Sequence, residues 1–280
     1  MLPIIKVENE RGEVLDLSAS PRYVAMLSGT GSPSATIKRT KVGVADGTRF
    51  NSSTVDERNL LLTIYIVRDV ARARMNLYRF FATKSRVKIY YQTESLDVYT
   101  EGYVETAEID PWELNQNMQV SIICPMPFWR DVSETYTDAS NVDALFEFPF
   151  SIDAEGVELS AIDQTASTVI ENNGTVAAGV TFELVAKTQC KNPRIYNLST
   201  GGFIGLEMDL ETGDRLLINT TAGSKSAVHV RDGVRSNCIN AVMVGSTWLQ
   251  MAIGYNEYSY TLEEGECRLG IYHTNMYTGV

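Results

Sequence analysis

Leu60-Leu-Leu-Thr-Ile-Tyr-Ile-Val67, followed by Val70-Ala-Arg-Ala-Arg-Met-Asn-Leu-Tyr-Arg-Phe-Phe81, is the stretch on which the fold turns. The first part is rich in β-branched and aromatic residues and is apolar at odd and even positions alike, which predicts a central strand buried on both faces. Then the period changes. Val70, Ala73, Leu77, Phe80 and Phe81 fall on one stripe of a helix, and Arg72, Arg74 and Arg79 fall off it. No other segment of the chain has a convincing helical period. Three β-prone segments follow, Val87 to Tyr91, Val98 to Ile109 and Met118 to Cys124, with Glu101-Gly102 and Asp110-Pro111 as turn markers. A strand, a helix and a run of strands describe an α+β domain.

Upstream of this block, Pro3 to Val7 and Tyr23 to Leu27 are short apolar stretches, and Ser28-Gly-Thr-Gly-Ser-Pro33 reads as a loop. Its glycines do not make a nucleotide site, because no third glycine follows at the dinucleotide spacing and no Gly-Lys-Ser/Thr closes a phosphate loop. Downstream, Pro125-Met-Pro-Phe-Trp-Arg130 interrupts strand pairing, since neither proline donates a ladder hydrogen bond. The first domain is therefore placed at residues 1–130. Residues 131–143 read as a polar linker, and the aromatic run Ala144-Leu-Phe-Glu-Phe-Pro-Phe150 opens a second domain at 144–280. There, short strand-like runs recur between turn signals such as Asn173-Gly174, Asn192-Pro193, Thr212-Gly213-Asp214 and Asp232-Gly233, the pattern of an antiparallel β-sandwich. The chain is thus mainly β, in two domains.

The bulk numbers agree with that division. A length of 280 residues exceeds one ordinary domain, with a single large β-sandwich as the alternative, and 44% apolar against 21% charged residues is a globular composition. The net charge of −11 is uneven: residues 1–130 carry 16 Lys and Arg against 15 Asp and Glu, whereas residues 131–280 carry 8 against 20. An acidic second domain repels a phosphate backbone, and the near-neutral first domain has no basic surplus, so nucleic acid is not an expected partner. Cys124, Cys190, Cys238 and Cys267 are too far apart for metal-ligand spacing and read as buried or idle thiols. The first residues turn polar at once, without the apolar stretch of a signal peptide, and no run approaches the ~20 apolar residues of a membrane span. Asn-x-Ser/Thr triplets at Asn51, Asn173, Asn197 and Asn219 are read as chance in a Ser- and Thr-rich chain.

The residues that carry chemistry do not assemble into a catalytic pattern. His229 and His273 are the only histidines and lie in strand-like segments, no serine stands in a Gly-x-Ser-x-Gly elbow, and no calcium loop or His-Glu-x-x-His zinc motif is present. Carboxylates such as Asp209, Glu211, Asp214, Glu263 and Glu264 flank turns, which reads as a solvated rim and not as a catalytic pair. The chain is expected not to be an enzyme and to need no metal or cofactor. Asn192-Pro193-Arg194 with Trp248 resembles the polar group and stacking tryptophan of a galectin sugar site, but the flanking histidine and the glutamate after the tryptophan are absent. A turn and a core tryptophan is the simpler reading, with Trp248 and Arg194 kept as candidate glycan contacts.

Further fragments, taken in order, are similar to the distal tail proteins of long, non-contractile-tailed bacteriophages. In the first domain they are Asp46-Gly-Thr-Arg-Phe50, Glu57-Arg58-Asn59, Leu77-Tyr-Arg-Phe-Phe81, Val87-Lys-Ile-Tyr-Tyr91 and Val120-Ser-Ile-Ile-Cys-Pro-Met-Pro-Phe-Trp129. In the second they are Phe146-Glu-Phe-Pro-Phe150, Glu171-Asn-Asn-Gly174, Asn192-Pro-Arg-Ile-Tyr-Asn197, Gly213-Asp-Arg-Leu216, Ser246-Thr-Trp-Leu249 with Gly254-Tyr-Asn256, and the close through Tyr277-Thr-Gly279. The resemblance implies a homo-hexameric ring of first domains at the tail tip, with galectin-like β-sandwiches projecting outward. It also implies a place in the virion at the distal end of the tail, after assembly in the host cytoplasm. The implied partners are the tail-tube protein, the tail-associated hub (Tal-like) protein, and receptor-binding or other baseplate proteins. Arg72, Arg74 and Arg79 become candidates for subunit or tail-docking contacts. The competing function is a carbohydrate-binding β-sandwich module in host attachment.

Overall fold

The computed structural model describes residues 3–43, 46–109, 116–139, 141–143, 161–163 and 167–280, with only the backbone of 141–143 and 161–163. Contacts divide the chain into one unit of Met1–Val132 with Met276–Val280 and a second of Ser133–Asn275. The first unit contains β1 (Ile4–Asn9), β2 (Val14–Asp16), β3 (Tyr23–Ser28), β4 (Ala35–Lys41), β5 (Thr48–Val55), β6 (Arg58–Ile66), α1 (Val70–Phe80), β7 (Arg86–Gln92), β8 (Asp97–Ile109), β9 (Asn117–Cys124) and β10 (Trp129–Asp131). Its main sheet runs β2-β1-β7-β8-β9-β6-β3, with every neighbouring pair antiparallel and β10 added onto β8.

Residues at every second position of β6, namely Leu60, Leu62, Ile64 and Ile66, join Val120 and Ile122 of β9 and Ala73, Leu77 and Phe81 of the helical segment in one buried core. Period-2 alternation in the strands and a 3.6-residue stripe on α1 give the two apolar surfaces that meet there. The expected stripe is narrower than its sequence, because Val70 is exposed and Phe80 only half-buried. More consequential is β6 itself. It has a neighbour on each side, yet its outward residues Leu61 and Tyr65 are each 39% exposed, so the strand is covered on one face and not on both.

A hairpin absent from the sequence reading stands apart from this sheet. β4 and β5 pair only with each other, with a register shift between Lys38 and Arg39, and every residue in them is exposed. Their polar, weakly alternating residues carry no strand signal. The turn marker Asp110-Pro111 lies outside the described residues.

The second unit begins with β11 (Thr135–Asp138), β12 (Asn141–Asp143), β13 (Ala161–Asp163), β14 (Ser167–Asn172), β15 (Ala178–Ala186), β16 (Cys190–Lys191), β17 (Arg194–Asn197) and β18 (Gly202–Gly205). It continues with β19 (Asp209–Leu210), β20 (Arg215–Asn219), β21 (Ser226–Arg231), β22 (Val234–Asn237), β23 (Gln250–Met251), β24 (Gly254–Thr261) and β25 (Cys267–His273). One sheet runs β11-β25-β15-β20-β21-β22, and a second runs β14-β24-β17-β18. Phe182 of β15 and Tyr258 of β24 meet edge to face at 5.4 Å between ring centroids, which locates the core between these sheets. This is the antiparallel sandwich that the spaced turn signals predict.

Two boundaries differ from the sequence reading. Residues 135–138, expected within a linker, form β11 and pair with β25, because an edge strand needs only one neighbour and carries as many polar residues as a linker. Met276–Val280, expected at the end of the sandwich, belong to the first unit, where the last strand β26 (Met276–Tyr277) pairs with β10. The expected opening of the second domain at Ala144, with Phe146 to Phe150, lies outside the described residues.

Candidate assembly surfaces

Several fragments that carry the family resemblance converge on Arg58. This residue is 2% exposed, and its guanidinium donates to backbone carbonyls: Nε to Pro127 at 2.7 Å, Nη1 to Gly29 at 2.6 Å and to Gly31, and Nη2 to Thr278. The Arg58 carbon Cζ lies 5.6 Å from the Trp129 ring centroid, and Trp129 in turn donates through Nε1 to the Thr30 carbonyl at 3.3 Å. Burial lowers the Arg58 pKa, yet an arginine stays charged at neutral pH, so the carbonyl dipoles satisfy a cation that water cannot reach. Glycine is required around it. Gly29 has φ of +84°, and a Cβ there would lie 2.3 Å from the Asn59 carbonyl oxygen. Arg58 thus ties β6, the 28–33 loop, the Pro-x-Pro turn and the chain's closing residues into one body.

The outward face of the main sheet is the largest departure from ordinary burial in this unit. Val24 lies directly across from Tyr65, and Met26 across from Thr63; Val24 is 55% and Met26 58% exposed. Leu61 is on the same face, and Tyr103, also exposed, pairs with Ile123 farther across the sheet. An apolar face of this kind without a cover marks an interaction site. The β4–β5 hairpin has the same property, because a lone two-stranded ribbon is marginal in water and this one exposes Ile37, Phe50 and Val55 beside Lys38, Arg39, Lys41 and Arg49. On α1, Arg72 and Arg79 are exposed and Arg74 is half-buried, with exposed Met75 and Tyr78 between them. None of the three arginines makes an ion pair among the described residues.

The second unit keeps its candidate residues apart. Arg194 Nη2 donates to Glu263 Oε1 at 3.2 Å and its Nε to Met243 Sδ at 3.3 Å. Trp248 is half-buried, with Lys225 Nζ 5.6 Å from its ring centroid. No hydrogen bond or ring contact joins Arg194 directly to Trp248 among the described residues. His229 and His273 lie on β21 and β25, separated in the sheet by β15 and β20. His229 Nε2 lies 2.9 Å from Asp214 Oδ2, which also accepts from Arg231 Nη2 at 2.6 Å and from the Glu211 backbone N–H at 2.9 Å. Hydrogen bonding from Arg231, ahead of that from Glu211 and His229, holds the Asp214 carboxyl well below the usual carboxylate range. The arrangement is a hydrogen-bonded ion-pair network where β20 begins and β21 ends.

The remaining chemistry is inert in character. All four cysteines are unpaired thiols, and burial pushes Cys124 up to about 11 and Cys267 higher still, away from the reactive thiolate. Among the described residues no group of His, Cys, Asp or Glu gathers as a metal site, and no helix is long and apolar enough to cross a membrane.

Comparisons with known proteins bear on this arrangement. Residues 173–277 match the family described as siphovirus-type tail component, C-terminal domain. Among solved structures, the Dit protein of phage SPP1, described as a paradigm of the hub adsorption apparatus in phages infecting Gram-positive bacteria, superposes with a TM-score of 0.69 at 16% identity, over 97% of this chain and 98% of that one. A chain of the phage P2 baseplate in its activated conformation with Ca superposes with a TM-score of 0.53 at 12% identity, over 98% of each chain. No curated protein sequence matches. Residues 173–277 thus match a siphovirus-type tail-component domain, and the chain has the fold of the SPP1 Dit protein over nearly its full length.

Proposed function

We propose that the chain is a structural subunit at the distal end of the tail of a long, non-contractile-tailed phage. Six first units close into a ring that joins the tail tube to the tail-associated hub protein. The second units serve as outward docking modules for receptor-binding or other baseplate proteins. The role is architectural and not catalytic.

The observation that supports this reading is a strand apolar on both faces and covered on one. Leu61 and Tyr65, with Val24 and Met26 beside them, leave an apolar sheet face that a neighbouring copy would cover. A ring uses a heterologous contact that closes after a fixed rotation, and the β4–β5 hairpin supplies a second, different surface on the same unit for such a contact. Arg72, Arg74 and Arg79, which make no ion pair among the described residues, are proposed to face a neighbouring subunit or the tail tube.

Light scattering of the purified chain combined with electron micrographs tests this directly. A hexamer with a central opening is expected, and the double substitution Met26→Glu with Leu61→Glu should yield a folded monomer. A monomer at every accessible concentration, with no ring even when the tail-tube or hub protein is added, would overturn the proposal.

A further inference from the structure

The open face of the β11-β25-β15-β20-β21-β22 sheet differs from that of the first unit in being polar and aromatic. Its inward residues, including Val180, Phe182 and Leu184, are fully buried. Two clefts of about 420 Å³ and 230 Å³ lie on the outward face and share Thr181 and Leu217 in their linings. Glu183 belongs to that face, but its side chain is only 9% exposed. Its Oε1 accepts from the Arg215 guanidinium and its Oε2 from the Tyr272 hydroxyl at 2.9 Å. A carboxylate oxygen has two lone-pair sites, so Oε2 keeps one acceptor site for a further donor.

Beside it lies an aromatic platform. Tyr136 and Tyr272 are cross-strand partners with ring centroids 4.8 Å apart. Tyr136 spreads over Gly270, where a Cβ would come within 2.5 Å of its ring. The absent side chain at 270 lets the ring lie along the strand.

From this geometry we infer that the face bearing Tyr136, Tyr272, Glu183 and Asn219 binds an uncharged oligosaccharide. A sugar ring offers one apolar C–H face and a rim of hydroxyls that both donate and accept. Tyrosine rings match the first, and a fixed carboxylate with neighbouring amide and hydroxyl groups matches the second. Glu183 pairs with Arg215 and Asp138 with Arg268, and the two other charges that line the clefts, Glu134 and Arg235, are of opposite sign, a balance that suits a neutral ligand and not a polyanion. A protein partner is disfavoured by the same face. Interface cores rely on large apolar anchors, and here Leu217 and Val228 are half-buried, while Tyr136 is the prominent exposed ring. This site is distinct from Arg194 and Trp248, and it goes beyond the structural role proposed above.

The test is binding of the full-length chain to a printed panel of neutral and N-acetylated oligosaccharides of several sugar units, followed by calorimetric titration with whichever binds best. Saturable binding is expected, weakened by roughly tenfold or more in Tyr136→Ala and by a smaller factor in Asn219→Ala. Gly270→Ala should also weaken it, by displacing a ring that is still present. Trp248→Ala should leave it unchanged. Thermal unfolding and solution mass of each variant, unchanged from the parent, separate lost binding from lost folding. The inference is overturned if no panel member binds at millimolar sugar, if binding survives both Tyr136→Ala and Asn219→Ala, or if only a phosphate-bearing polymer binds. It is also overturned if Tyr136→Ala abolishes capture of a baseplate protein while no sugar binds.

Discussion

Strands β6 and β15 have the same inward pattern and opposite outward ones. Both bury aliphatic residues at alternate positions, Leu60, Leu62 and Ile64 in the first unit and Val180, Phe182 and Leu184 in the second. Outward, β6 presents Leu61 and Tyr65, whereas β15 presents Thr181 and Glu183. The inward residues decide that each strand lies in a sheet over a core. The outward ones decide what the free face will accept. An apolar face gains from being covered by another protein surface, at about 25 cal/mol per Å² removed from water, and a polar face with fixed donors and acceptors does not. The charges follow the same split: a near-neutral first domain can approach its own copies, and a strongly acidic second domain resists doing so.

If the units are as independent as their cores, each should be breakable alone. The largest effect is expected from Arg58→Met, which removes the buried cation that holds the carbonyls of Gly29, Gly31, Pro127 and Thr278 together. Urea unfolding followed by Trp129 fluorescence should show the first unit weakened by roughly 3–5 kcal/mol. The second unit's transition should stay in place.

Removing Met276–Val280 should weaken the same unit by about 3 kcal/mol, from the lost β10–β26 pairing and the hydrogen bonds of Thr278 and Val280. The sandwich, which the sequence order alone would have made the casualty, should keep its own transition by circular dichroism.

In the second unit, Asp214→Ala should lower stability by about 2 kcal/mol, since the carboxylate accepts from Arg231, His229 and the Glu211 N–H. The folded pKa of Asp214 is depressed, so its contribution is fully present above the ordinary carboxylate pKa of ~3.9 and is lost as pH falls through the lower folded value. Denaturant midpoints measured between neutral pH and strong acid should therefore fall less steeply for Asp214→Asn than for the parent, in this unit only.

The smallest effect on stability is expected from Leu61→Glu, within roughly 0.5 kcal/mol for a solvent-facing position. Its effect on assembled mass by light scattering should be the largest of the set. A stability loss comparable to that of Arg58→Met would mean that the outward face of β6 is part of the monomer's own packing, and the contrast between the two units would fail.

Much of this was legible in the residues. The strand at Leu60–Val67, the helix after it, the strands around Val87, Val98 and Met118, and the recurring turns of the sandwich follow from local period and turn chemistry. The β4–β5 hairpin was not legible, because Ala35–Lys41 and Thr48–Val55 lack alternation, having no core of their own to face. Arg58 stood in a recognisable fragment, but nothing in Glu57-Arg58-Asn59 indicates that its partners lie near residues 30, 127 and 278. Arg194, an arginine after Asn-Pro, and Trp248, the one tryptophan of residues 131–280, are visible in one dimension. Tyr136 and Tyr272 are not, since they meet only when β11 pairs with β25.

The sequence by itself determined the element types, the inward faces and the division of charge, because side-chain period and turn propensity act over a few residues. Only the tertiary structure decided which face of β6 stays open, which segment completes the first unit and where Glu183 is held. Those outcomes depend on strand order and on contacts between residues far apart in the chain. Local sequence carries no record of which neighbour a strand will find.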